Sequence, residues 1–262
     1  THTVAAGKLV YTPAADRSGP ALASFGFQVQ DNGGTANGGV DLDPVARTLT
    51  IDVTAVNDAP IMTANAPVMT TIGEDALNNA GQAVSTLVGN AAGKTGVADV
   101  DALNNNGAGN APEGTGQGIA IHALANAGPA DGGAWEYSLD GGSTWLAVGA
   151  VDSGHALLLR SSDLIRFKPD GLNGTVASFS YYLWDGASGS AGVKADASVR
   201  GGISAFSDGS DTSSITVTHA NDAPVVDLNG GGAGNNLATI FRPRGDAVSV
   251  VGDIVITDAD HL

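Results

Sequence analysis

Asn57-Asp58-Ala59-Pro60 recurs as Asn221-Asp222-Ala223-Pro224, 164 residues later. Leu49-Thr50-Ile51-Asp52-Val53-Thr54 precedes the first copy and Ile61-Met62 follows it. Ser214-Ile215-Thr216-Val217-Thr218 precedes the second and Val225-Val226 follows it. Proline removes an amide donor and fixes φ, which stiffens entry into the next strand. Asn and Asp are turn formers, and their oxygens also suit a hard cation. One copy reads as an ordinary turn. Two copies in matching surroundings read as junctions between large repeated β-units.

Outward from the junctions, the chain predicts an all-β fold. It has 262 residues, of which 38 are glycine. No segment sustains the i, i+3, i+4, i+7 apolar stripe of a helix. The formal net charge is −16, and 24 of the 27 acidic residues are Asp. Asp is short and suits turns and oxygen cages, whereas Glu favours helix surfaces. This charge argues against nucleic acid or an anionic membrane as partner. Cysteine is absent, so disulfides, thiolate metal sites and a cysteine nucleophile are excluded. No apolar run reaches the length of a membrane-spanning helix. The chain opens at Thr1 in already patterned sequence and reads as a piece of something longer.

In chain order, Lys8–Pro13 predicts a short strand, and Ser24–Gln30 an alternating one with Phe25, Phe27 and Val29 on one face. Residues 46–55 predict the strand before the first junction. In the middle stretch, strands are expected at Val84–Val88, Gly118–Leu124 and Ala156–Leu159. A hairpin is expected about Asp140-Gly141-Gly142. The second half of this stretch repeats the opening segment. Ile165–Pro169 answers Leu9–Pro13, and Ser178–Gly186 answers Ser24–Asn32. After the second junction, strands are expected at Leu237–Phe241 and Val248–Val251.

Taken together, these motifs resemble the cadherin-like tandem repeats of very large bacterial surface adhesins, including the RTX type exported by type I secretion. The carrying stretches are TAVNDAP and THANDAP, LVYTP and IRFKP, SFGFQVQDNGG and SFSYYLWDGASG, ADVDA and ITDAD. The resemblance implies tandem immunoglobulin/cadherin-like Greek-key β-sandwich domains. Residues 1–60 would be the C-terminal part of one, 61–224 a complete repeat with long loop insertions, and 225–262 the N-terminal part of a third. It also implies calcium at each junction, an extracellular place on the bacterial cell surface, and a spacer role in adhesion and biofilm formation. Adjacent repeats and cell-surface or glycan ligands would be its partners, with no nucleic acid and no membrane insertion.

By this resemblance, the linker ligands are Asn57, Asp58, Asn221 and Asp222. The Asp-x-Asp pairs are Asp99 with Asp101 and Asp258 with Asp260. Alternate side chains of an extended strand point the same way, so each pair can face one ion. Asp185 is the later ligand of the middle unit, answered by Asp31 in the first. Glu74 would serve the second junction. The third unit departs from the pattern with Arg242-Pro243-Arg244 where an acidic ligand is expected. Two alternatives stay open: a glycan-binding module, and an accessory domain of a secreted carbohydrate-active enzyme.

Other signals carry less. Ser138–Trp145 matches the Asp-box hairpin S-x-D-x-G-x-T-W, with Asp140 expected to cap turn amides. Arg244-Gly245-Asp246 and Asp152-Ser153-Gly154-His155 read as surface turns. The five His lack zinc-site spacing. Tyr181, Tyr182 and Trp184 read as alternating strand positions rather than a sugar platform. No enzymatic site is expected.

Overall fold

The computed structural model describes residues 9–100, 118–126, 132–230, 233–248 and 253–258. Among these the fold is nearly all β, with 3-10 turns at Ala36–Gly38 and Val84–Thr86. Two sheets make up the middle of the chain. One has six strands in the order β13 (Lys194–Ala195), β10 (Ala156–Leu159), β7 (Gly118–Ala125), β12 (Thr175–Trp184), β14 (Asp211–Thr218), β4 (Ile72–Gly73). The other has four, in the order β5 (Gln82–Ala83), β11 (Leu164–Pro169), β8 (Gly133–Ser138), β9 (Leu146–Ala147).

The period of two along each strand decides what lies between the sheets. Phe179, Tyr181 and Leu183 of β12 and Ile215 and Val217 of β14 join Trp135, Tyr137, Ile165 and Phe167 of the smaller sheet in one core. Trp135 meets Phe167 edge-on at 5.3 Å and Phe179 at 4.8 Å, so its ring spans both layers. On β7 the alternation slips once. The register passes from Ser180↔Ala123 to Tyr181↔Ile121, leaving His122 as a bulge. The inward set therefore runs Ile119, Ile121, then Leu124.

A second layer covers the outer face of the six-stranded sheet. Tyr182 and Trp184 point away from the main core and, with Ala156 and Leu158, pack under Ala197, Ala205 and Phe206. The residues between β12 and β14 thus form a lid, pinned where Trp184 Nε1 donates to Ser188 O at 2.7 Å. This lid explains why all four residues of β10 are buried.

The internal repeat has a structural counterpart. β1 (Gly19–Phe27) pairs antiparallel with β2 (Arg47–Val53), as β12 does with β14. The register is the same: Ser24 faces Thr50 as Ser178 faces Ser214, and Phe25 faces Leu49 as Phe179 faces Ser213. β1–β2 is a two-stranded sheet of its own, and Phe27 and Leu49 remain exposed. Two further short pairs flank the sandwich: β3 (Ile61–Thr63) with β6 (Gly96–Ala98), and β15 (Val225–Asp227) with β16 (Val255–Thr257).

Four expected strands differ. In place of the Val84–Val88 strand there is a 3-10 turn at Val84–Thr86, because Val84, Leu87 and Val88 are all buried and that spacing fits a helical turn. Leu9–Pro13 forms no strand. Its counterpart β11 is held between β8 and β5, and no described strand flanks Leu9–Pro13. Leu237–Phe241 is also irregular, with Ile240 and Phe241 exposed and no ladder partner. The Ser24–Gln30 strand starts earlier and ends sooner, at Gly19–Phe27, with Gln30 making only an isolated bridge to Leu42. Of the strand expected at Val248–Val251, all but Val248 lies outside the described residues.

Asp211 ties the loop after β3 to the sheet. Its carboxylate, buried at the start of β14, accepts from Thr95 Oγ1 (2.5 Å), Asn65 N (2.8 Å) and Ala66 N (3.1 Å). Thr95 Oγ1 also lies 2.5 Å from Tyr181 Oη. Burial alone would raise the Asp211 pKa, but the hydrogen bonds from Thr95 and the amides of Asn65, Thr212 and Ala66 together hold it below its ordinary value. Its contribution to stability is therefore full above the usual carboxylate range and fades as pH falls through the depressed value. Asp211→Asn should destabilise the fold by about 1–3 kcal/mol in urea melts at neutral pH, since buried donors lose their acceptor. The variant should also lose the corresponding part of the acid sensitivity. Trp135→Ala should cost about 3–5 kcal/mol by the same measurement.

Candidate functional site

At the first junction, β2 leads into Asn57. Its Nδ2 donates to Asp185 Oδ2 (2.9 Å), Ser204 O (3.0 Å) and Asp58 O (3.3 Å). All three partners are acceptors, so the amide can point only one way. Oδ1 then faces the other direction, buried and with no hydrogen-bond donor among the described residues. Asp185, buried at the end of β12, receives the amide of Ala187 at 2.7 Å on its other oxygen. Ala59 N donates to Gly202 O at 2.8 Å, so the linker touches the lid twice through backbone carbonyls. A cleft of about 520 Å³ opens beside this contact, lined by Pro60, Met62, Arg200 and Asp208 among others.

Asp99 reaches the same place by strand register. β3 and β6 pair as Ile61↔Ala98, so the next residues outward are Pro60 and Asp99. Asp99 is buried there, with 2% of its surface exposed. Asp58 lies half-buried in the same tetrapeptide. The structure thus brings Asn57 and Asp185 into contact and places Asp58 and Asp99 at that end of the sandwich. Asp101 lies outside the described residues.

The second junction repeats the arrangement. Asn221 Nδ2 donates to Asp222 O at 3.0 Å, as Asn57 does to Asp58 O. β15 and β16 pair as Val225↔Thr257, so Pro224 and Asp258 are the next residues outward. Glu74, completely buried, reaches this junction from the other side. β4 runs parallel to β14 with Gly73 beside Thr218, and Glu74 Oε1 accepts from Ala220 N at 2.6 Å. His219 Nδ1 lies 3.3 Å from the same carboxylate. Asp260 lies outside the described residues.

Among the described residues, no three His, Cys, Asp or Glu side chains form a metal-holding group by themselves. A cation at the first junction would therefore draw on amide or carbonyl oxygen as well. The donor chemistry fits a hard ion such as calcium, because the orphaned Asn57 Oδ1 and the carboxylates nearby are all oxygen ligands. Sequence reasoning missed the carbonyls of Gly202 and Ser204. Every residue carries such a group, so a Gly- and Ser-rich loop gives no signal for them.

The remaining motifs are surface turns and core positions. Tyr181, Tyr182 and Trp184 are all buried, on the two faces of β12, and form no exposed platform. In the 152–155 turn, Asp152 caps Gly154 N and contacts the His155 ring, while Ser153 Oγ lies 3.3 Å from Tyr182 Oη. Arg244-Gly245-Asp246 is an exposed turn closed by Gly245 N to Arg242 O. Comparison with known proteins found no matching family model, no matching curated protein and no matching solved structure.

The Asp-box hairpin is held as expected. Asp140 accepts from Thr144 Oγ1 (2.7 Å), Thr144 N (2.9 Å) and Ser138 Oγ (2.8 Å). These bonds, led by the Thr144 hydroxyl, lower its pKa to about 2. The turn should therefore stay capped in acid that protonates ordinary Asp side chains, and open only as pH falls through about 2. Amide exchange at Thr144, followed by NMR, should remain slow at about pH 3, below the usual Asp value. Asp140→Ala should abolish that protection.

Proposed function

We propose that the chain is a non-enzymatic, calcium-binding spacer segment of a secreted bacterial surface adhesin, built from immunoglobulin- or cadherin-like Greek-key units. The carrying observation is repetition at two levels. The β1–β2 and β12–β14 pairs share one register, and the two Asn-Asp-Ala-Pro junctions share another, Ile61↔Ala98 and Val225↔Thr257. A unit whose ends recur in the same register is a unit made to be joined end to end. The exposed Phe27 and Leu49 on β1–β2 support membership of a larger sandwich, since their counterparts on β12–β14 sit in or beside a closed core.

The mechanism is mechanical. Asp58, Asp99 and Asp185 gather negative charge at the first junction, and Glu74, Asp222 and Asp258 at the second. Two unit charges 4 Å apart repel by about 4 kcal/mol at an effective dielectric near 20. Calcium would supply the countercharge and take six to eight oxygen ligands. Asn57 would contribute its amide oxygen, whose direction is fixed by the bond from Asn57 Nδ2 to Asp185 Oδ2 on the opposite side of the amide. The aligned units then form a stiff rod that holds a distal binding module away from the cell.

Calcium titration should raise the melting temperature and, by straightening the second junction, lengthen the particle seen by small-angle X-ray scattering. Chelation should reverse both. Identical length and melting temperature in calcium and in chelator would remove the proposal. Asp99→Asn combined with Asp185→Asn should weaken the calcium response by about tenfold or more in midpoint, since site affinity depends on the number of charged ligands.

A further inference from the structure

We propose that residues 187–210 are a strap that fixes the first linker to the sandwich through hydrogen bonds of the protein alone, so that this junction holds its alignment without a bound ion. The first observation is an insertion. Asp31 and Asp185 are 154 residues apart, whereas Asp58 and Asp222 are 164 apart. The middle unit therefore carries ten more residues than the first between its late Asp and its closing strand.

Secondly, those residues are anchored to the sandwich. Phe206, Ala205 and Ala197 are buried in the outer layer against Tyr182 and Trp184. Arg200 stacks over the Tyr182 ring, its Cζ 4.6 Å from the centroid. Ser207 N donates to Leu183 O at 3.1 Å, and Leu183 N donates back to Ser207 Oγ at 2.9 Å. Burial of an aromatic side chain is favourable, so a strap pinned by Phe206 is not a free loop.

Thirdly, the tip of the strap is a turn that offers carbonyls to the linker. Gly201 N bonds to Phe206 O at 2.9 Å and Ser204 N to Gly201 O at 3.1 Å. Gly202 O and Ser204 O are thereby left for Ala59 N and Asn57 Nδ2, and Asp185 Oδ2 takes a further bond from Asn57. Linker bonds to two elements of the sandwich remove the freedom a Pro-ended linker would otherwise keep. The inference deepens the spacer reading, on which it rests for its meaning in a multi-unit rod.

The cysteine-free chain allows a direct test on the full 262-residue protein. Spin labels on Thr48→Cys and Thr216→Cys, both exposed, bracket the first junction. Pulsed EPR should give one narrow distance distribution in calcium and in EDTA alike. In EDTA, Asn57→Ala should broaden it about twofold or more, because the Ser204 and Asp185 bonds are lost together. A second variant, with residues 187–210 replaced by their counterpart 33–46, should broaden it likewise. Amide-exchange protection of β8 and β11, which belong to the other sheet, reports whether each variant keeps its core. A wild-type distribution that broadens in EDTA, or an Asn57→Ala protein that stays narrow there, overturns the strap. A narrow distribution in both buffers with a calcium-indifferent melting temperature keeps the strap and removes the calcium reading.

Discussion

β12 must be buried on both faces, and much of the rest follows from that. Its inward side chains, Phe179, Tyr181 and Leu183, require an opposing sheet, which β8 and β11 supply through Trp135 and Phe167. Its outward side chains, Tyr182 and Trp184, require a second cover, which among the described residues comes from Ala197, Ala205 and Phe206 between β12 and β14. An apolar strand in the middle of a sheet gains by burying both sides, whereas an antiparallel sheet commonly leaves one side wet. The lid thus exists because of β12, and Asp185 lies where strand ends and lid begins. The linker meets the sandwich at that corner. Packing of aromatic rings and geometry at the junction are two ends of one arrangement.

The junctions themselves are set by backbone pairing more than by side-chain attraction. Pairing of β3–β6 and of β15–β16 next to the proline puts Asp99 and Asp258 one residue beyond the ladder at each linker, and β4 runs beside β14. Asn57 has its donors directed at fixed acceptors and its buried oxygen turned away from them, with no donor on it among the described residues.

Much of this was legible in the sequence because strands have a strict period and the chain repeats itself. The alternation of Phe179, Tyr181 and Leu183, the answer of Ser178–Gly186 to Ser24–Asn32, and the distance from each linker to its Asp-x-Asp pair all lie in the letters. Glu74 was singled out only by the family resemblance, and its carboxylate accepts from Ala220 N beside the second linker. Features that depend on a partner far away in the chain were not legible. Leu9–Pro13 has strand composition but no strand beside it. Val84–Val88 has β-branched character, yet its buried residues follow a helical turn. The His122 bulge, the outward burial of Tyr182 and Trp184, and the role of Asp211, where the first copy has Arg47, emerge only when distant segments pack.

The pairing beside each proline also has a consequence for how such a chain can change over time. Ile61 and Ala98 are 37 residues apart, whereas Val225 and Thr257 are 32 apart, yet both pairs close in the same register. The excursion between paired ends can therefore gain or lose residues while the joint stays as it was. Loop closure grows costly only slowly with length, about 0.6 kcal/mol for each doubling. The residues between the paired ends are free to diverge in sequence and number, while the pairing beside each proline stays interchangeable.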